Sequence, residues 1–171
     1  MDRSEWISRL ELLHVRQRSG ELLREEDRDW YRAARDALTK VALSEQNARL
    51  AGSERFRRSL RVQRAAQVLL EAPDWTCRTM TVDLGAGGFA CLLEAAPPKG
   101  APVEATLLLG NEPLNVPVEA ADVRGQGGLV RVSFAFVAAA EWARDRIESF
   151  LLDGILEQLV FWDEVLTRLR V

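Results

Sequence analysis

Histidine occurs once in this chain and cysteine twice. Neither Cys77 nor Cys91 has a CxxC partner or a nearby histidine pair, so no metal site is indicated. The two could face each other on neighbouring strands and bond. The expected state is instead a pair of reduced, half-buried strand residues. The lone histidine, His14, falls on the apolar side of a helical stretch, where packing outweighs general-base chemistry. Nucleophile elbow, HExxH and Walker patterns are all missing, so neither enzymatic activity nor a cofactor is expected. No apolar run is long enough to span a bilayer. The opening M-D-R-S-E-W lacks the basic-then-apolar layout of a signal peptide, and a cytoplasmic location is the expectation. A strong overall charge is also missing. The formal net charge is −3, too little to draw nucleic acid or an acidic membrane to the whole surface.

What remains is an ordinary globular composition with a change of pattern along it. Residues 4–18 read as a helix, with Trp6, Ile7, Leu10, Leu13 and His14 on one face. Asp2 and Glu5 have the spacing of a capping box, and Ser19-Gly20 ends the helix. A second helix is expected over 25–50. Its acidic first turn, Glu25-Glu26-Asp27, suits the positive end of the helix dipole better than a metal or acid–base role. Trp30, Ala34, Ala37, Val41 and Ala48 form its expected apolar stripe. Residues 1–52 are therefore read as a helical hairpin, joined to the rest by Ala51-Gly52-Ser53.

Beyond that linker the period falls towards two. Six strands are expected, at 61–70, 77–84, 89–94, 103–109, 114–123 and 129–136. Asp74-Trp75, Gly85–Gly88, Pro97–Gly100, Gly110–Pro113 and Gly125–Gly128 separate them as turns. Short strands with such turns indicate a small antiparallel barrel over residues 53–138. Residues 139–171 read as a long helix that packs on the barrel, on the other helices, or on both. Leu151, Ile155, Leu159, Trp162, Leu166 and Leu169 form its heptad seam, and Asp153-Gly154 marks a possible bend. The fold class is α+β. The apolar helices make a homo-oligomer a reasonable expectation. Of the five tryptophans, only Trp75 lies in a turn and stays open as a stacking residue.

Two stretches carry candidate chemistry. The first is Ser53–Leu70, where Arg55, Arg57, Arg58, Arg61 and Arg64 fall within ten residues, opposed only by Glu54. Guanidinium groups bind phosphate bidentately and stack on planar bases. A solvated basic helix end is the bland alternative. The second is Asp83-Leu84-Gly85-Ala86-Gly87-Gly88. Its carboxylate could accept from the adjacent N1–H and N2–H donors of a guanine, and its glycines would let a flat ligand approach the backbone. A tight turn with an Asx-type bond is the bland alternative here.

Taken together, the two stretches resemble a known family. Arg57-Arg58-Ser59-Leu60-Arg61 resembles the RxxxR motif that leads into the first strand of PilZ domains. Asp83-x-Gly85-x-x-Gly88 is similar to that family's D/N-x-S-x-x-G motif. The resemblance covers residues 54 to about 155 and implies a PilZ-type six-stranded barrel. The hairpin also looks like the helical extension of some myxobacterial PilZ proteins. The function implied is that of a cyclic di-GMP receptor. Arg57, Arg58 and Arg61 would hold phosphate and stack on guanine, with Asp83, Gly85 and Gly88 on the other side. Gly85 stands where the family usually has serine, so a hydroxyl contact is absent there. Ligand capture by the arginine segment would change the angle between hairpin and barrel and so alter the surface offered to a protein partner, whose identity is unknown. One alternative is a degenerate PilZ scaffold acting through protein contact or oligomerisation without nucleotide. Nucleic-acid binding is a further alternative, disfavoured by the acidity and by the lack of strand-borne aromatic platforms.

Overall fold

The computed structural model describes residues 2–50 and 59–159. The chain divides into two compact units, Met1–Leu60 with Leu152–Val171, and Arg61–Leu151.

The first unit opens with helix α1 (Arg3–Arg18). Asp2 and Glu5 form the expected capping box, each side chain accepting the other's backbone N–H at 2.9 Å. Gly20 adopts φ 79° just past the helix end, a conformation that glycine reaches without strain. Trp6, Leu10, Leu13 and His14 are buried along one face, as expected.

Helix α2 (Glu25–Ala48) departs from the expected stripe. Its buried row is Asp27, Tyr31, Ala34, Leu38, Ala42 and Glu45. Only Ala34 is shared with the stripe read from sequence, while Ala37 and Ala48 are exposed and Trp30 and Val41 are half-buried. The reason is that polar groups with partners can be buried. Tyr31 meets His14, and Asp27 accepts from Arg9 and Arg24, each at 3.1 Å. Trp30 instead sits at the margin of the helix pair. Its ring centroid lies 5.8 Å from that of Trp6 and 4.4 Å from the Arg9 guanidinium.

The second unit is a closed antiparallel barrel. Its strands are β1 (Arg61–Val62), β2 (Gln67–Ala72), β3 (Trp75–Gly85), β4 (Gly88–Leu93), β5 (Val103–Leu109), β6 (Glu112–Gln126) and β7 (Leu129–Phe136). The sheet order is β1-β3-β2-β5-β6-β7-β4, and a further β3–β4 pairing closes β2 to β7 into a ring of six. Strand β3 does this by dividing its length. Residues 75–80 pair with β2, while residues 81–85 pair with β4. The inside is filled by alternate residues, among them Val68, Leu70, Leu84, Phe89, Leu107 and Val132, none more than 1% exposed.

Trp75 and Gly125-Gln126, expected in turns, belong to β3 and β6 instead, and two further details of the barrel differ from expectation. The first strand is not continuous over 61–70; it breaks between Val62 and Gln67. Buried Thr81 holds the break. Its hydroxyl donates to the Arg64 carbonyl at 3.1 Å and accepts the Ala66 N–H at 2.9 Å, while its own N–H donates to the Ala66 carbonyl. Strand β6 also starts earlier than expected and contains Pro113 and Pro117. Both prolines pair with β5, at Leu108 and Glu104, and β7 joins β6 only from Val118 onward. The missing N–H groups therefore fall where β6 has one neighbour.

Helix α3 (Glu141–Leu159) runs unbroken through Asp153-Gly154, and its residues from Leu152 onward belong to the first unit. Leu151 and Ile155 of the expected seam are buried. Trp162, Leu166 and Leu169 lie outside the described residues, as does the linker Ala51–Ser53. Among the described residues, no helix is long and apolar enough to cross a membrane.

Candidate functional site

An irregularity in β3 sets the site. Thr81 pairs with Cys91 and Asp83 with Ala90, so two steps along β3 match one along β4. Val82 is the extra residue of a β-bulge. In a regular strand Thr81 and Asp83 would share a face. The bulge leaves Thr81 buried inside and puts Asp83 on the opposite, outer face.

The register then lays out that face in rows. Arg61, Gly85, Gly88 and Ala135 lie opposite one another across β1, β3, β4 and β7. The next row is Asp83, Ala90, Ser133 and Asp122. The one after it holds Leu92, Arg131 and Arg124. The middle of the face is thus paved with small residues, and Arg61, Asp83 and Arg131 stand at its edge.

These three side chains form one ion cluster. Asp83 Oδ1 accepts from Arg61 Nη1 at 2.7 Å, and Oδ2 accepts from Arg131 Nη2 at 2.5 Å. The Asp83 side chain is 15% exposed, against 35% for Arg61 and 30% for Arg131. Two guanidinium groups thus share one carboxylate at the border of a row of small residues.

The structure brings Arg61, Asp83, Gly85 and Gly88 onto one face, while Arg55, Arg57 and Arg58 lie outside the described residues. Gly88 also has a structural job. A Cβ there would lie 2.0 Å from the Phe134 carbonyl oxygen, so only glycine allows β7 this close. Arg64 serves elsewhere. It donates to the Phe150 carbonyl at 3.1 Å, and its guanidinium lies 4.3 Å from the Phe150 ring centroid.

Sequence reasoning missed Arg131. A signal was there. In L-V-R-V-S-F-A-F the inward residues are large and apolar, and the outward ones are Leu129, Arg131, Ser133 and Ala135. A single charge at an outward position beside Ser133 and Ala135 marks a residue placed to reach across the face.

Among the described residues, the hollows of the same unit include these two. One, of about 290 Å³, adjoins the Ala86-Gly87 turn and is lined by Phe136, Ala139, Arg144 and Glu148 as well. The other, of about 480 Å³, opens where β3 and β4 separate, and Trp75, Cys77, Arg78, Glu94 and Leu129 line it. Both cysteines are free thiols. Burial pushes the Cys91 thiol up to about 12, so it stays protonated and unreactive at neutral pH.

The other candidates resolve into structural roles. His14 is buried in the helical unit. Its Nδ1 lies 2.9 Å from the Tyr31 hydroxyl and its Nε2 2.9 Å from Asp153 Oδ1. Arg18 donates to both oxygens of the same carboxylate, at 2.9 and 2.8 Å. Of the acidic run, Asp27 is buried between Arg9 and Arg24, and Glu25 and Glu26 are exposed.

Residues 54–153 match the family model described as the PilZ domain. No curated protein sequence matches at a significant level. Among solved structures, the fold is similar to YcgR from Escherichia coli in complex with c-di-GMP, with 19% identity and a TM-score of 0.55 over 64% of this chain and 50% of that one. It is also similar to the PilZ domain of the same protein with c-di-GMP, at 18% identity and a TM-score of 0.52, over 64% of this chain and 99% of that domain. The Bacillus subtilis inhibitor of motility MotI/DgrA matches at 15% identity and a TM-score of 0.52, over 63% of this chain and 53% of its own. This chain therefore spans about half the length of the longer YcgR structure and of MotI/DgrA. At these identities the likeness is one of fold.

Proposed function

The chain belongs to the PilZ domain family, and on that premise we propose that it is a non-enzymatic, cytoplasmic receptor for cyclic di-GMP. The observation that supports this reading most is the meeting of the two sequence stretches. Arg61 and Asp83 are 22 residues apart, yet they are in contact on one face of the barrel, beside Gly85 and Gly88. The chemistry of the face fits the ligand. Guanidinium groups from Arg61, and from Arg57 and Arg58 before it, pair with phosphate and stack on guanine. The Asp83 carboxylate accepts from the N1–H and N2–H edge of guanine. The middle of the face carries no side chain larger than that of serine between Gly85 and Ala135. Two of the similar structures contain c-di-GMP.

Ligand capture by Arg57, Arg58 and Arg61 would tether the Arg55–Arg64 segment to the barrel. That tether would alter the surface offered to a protein partner, and the signal depends on different ligand affinities of the two arrangements. Isothermal titration with cyclic di-GMP tests the reading. Wild-type protein is expected to bind, and Arg61→Ala or Asp83→Ala to weaken binding about tenfold or more, since each removes a bond to a charged group. No heat of binding at tens of micromolar ligand would overturn the reading. The scaffold reading would then stand, and the missing hydroxyl at Gly85 favours it.

A further inference from the structure

We infer that Arg131 is a positioning residue of this site: it keeps the Asp83 carboxylate compensated and aimed when Arg61 leaves it for a ligand phosphate. The inference rests on the cyclic di-GMP reading and goes beyond it, because Arg131 belongs to neither sequence motif.

The geometry points to an exchange of partners. Each oxygen of Asp83 is committed to a different arginine, Oδ1 to Arg61 and Oδ2 to Arg131. The two arginines come from different strands, β1 and β7, so one can move without the other. A ligand with two phosphates draws Arg61 away. Asp83 is only 15% exposed, and a carboxylate so enclosed is costly to strip of its last cation. Arg131 is the cation that remains. With Oδ2 still tied from the β7 side, the carboxylate keeps its orientation, and Oδ1 is released to accept from the ligand's base. Each oxygen has more than one acceptor direction, so the bond to Arg131 does not exhaust Oδ2. Without Arg131, Asp83 would hold Arg61 back and its own aim would be lost.

The neighbouring arginine provides the contrast. Arg124 lies directly across from Arg131 on β6, with its Nε 2.7 Å from Asp122. It is 75% exposed and is paired with its own acid rather than with Asp83. Removing Arg124 takes away the same charge from the same row and leaves the Asp83 cluster intact.

The test is isothermal titration of the full chain with cyclic di-GMP and with cyclic di-AMP, whose adenine lacks the N1–H and N2–H donors. The proteins are wild type, Arg131→Gln, Arg131→Lys and Arg124→Gln, each checked for folding by circular dichroism. Arg131→Gln is expected to weaken cyclic di-GMP about tenfold and to shrink the preference for guanine by a similar factor, the worth of one charged hydrogen bond. Arg131→Lys is expected to recover part of both, since it keeps the charge without the forked geometry. Arg124→Gln should stay within about twofold of wild type, as an exposed pair contributes little. Wild-type affinity and wild-type base preference in Arg131→Gln would overturn the inference. So would an equal loss for both nucleotides, which marks a field effect only. Should Arg131→Gln fail to fold, Arg131→Lys decides: a reduced guanine preference supports the inference and an unchanged one overturns it. A wild-type protein that binds no cyclic di-GMP overturns the function as well as this role, whereas a binding wild type with an indifferent Arg131→Gln overturns this role alone.

Discussion

Asp83 in the barrel and Asp153 in the helical unit are built alike. Each carboxylate is largely enclosed, with side-chain exposures of 15% and 14%, and each accepts from two basic side chains. Asp83 has Arg61 and Arg131, while Asp153 has Arg18 and His14. The neighbours differ. His14 and Tyr31 are each 2% exposed, and His14 shares its helix face with buried Leu10 and Leu13. There the cluster lies against large buried side chains at its His14 end, while Arg18 stays half exposed. Around Asp83 the facing residues are Gly85, Gly88, Ala90 and Ser133. There an enclosed carboxylate with basic partners is set beside small side chains, and this is the candidate ligand face. The size of the neighbours, more than the charges, distinguishes the candidate site from the structural cluster.

That contrast can be broken at several points. The largest effect is expected at Gly88, whose part in the floor is first of all steric. Gly88→Val would drive a side chain into the Phe134 carbonyl and cost about 3 kcal/mol or more, read from urea unfolding followed by circular dichroism. A fully stable variant would show that β4 and β7 can move apart and that the floor is soft. Next comes the helical cluster. His14→Leu deletes its buried bond to Tyr31 and its part-buried bond to Asp153 and should cost about 2–3 kcal/mol of stability, with cyclic di-GMP affinity unchanged. A loss of affinity there would mean that the two clusters are coupled.

Arg61→Gln should behave in the opposite way. Its ion pair is partly exposed, so stability should fall by less than about 1 kcal/mol while ligand affinity falls about tenfold. Equal losses in both measurements would place Arg61 with the structural residues.

The smallest effect is one of pH. The bond from Arg9, and after it that from Arg24, holds the Asp27 carboxyl below its usual range, against the opposing push of burial. A depressed folded value means that the unfolded chain binds more protons in acid. The contribution is therefore complete above the unfolded value of about 3.9 and is lost as pH falls through the folded one. The difference in melting temperature between wild type and Asp27→Asn should be flat from neutral pH to about pH 5 and should narrow below about pH 4. A difference that stays constant into strong acid would remove the ion pair from the account of this helix pair.

Much of the fold was legible because its determinants are local. The Asp2–Glu5 capping box, the α1 face, the strand alternation and the glycine and proline turns all depend on residues a few positions apart. Arg61 and Asp83 were legible for another reason, since each belongs to a short motif with its own pattern. The buried row of α2 was not legible. A hydrophobic reading passes over Tyr31, Asp27 and Glu45, and what allows their burial lies partly on another helix, in His14 and Arg9 for the first two. The broken first strand was hidden likewise, because Thr81, which holds the break, is a strand away.

By itself, the sequence determined the element types, the barrel and the two halves of the candidate site, since hydrogen-bond capping, side-chain period and turn chemistry act over short stretches of chain. Only the tertiary structure decided which face Asp83 occupies and that Arg131 reaches it. Those depend on one extra residue at Val82 and on the pairing of β4 with β7. Register between distant strands is a property of the closed barrel and of no segment alone.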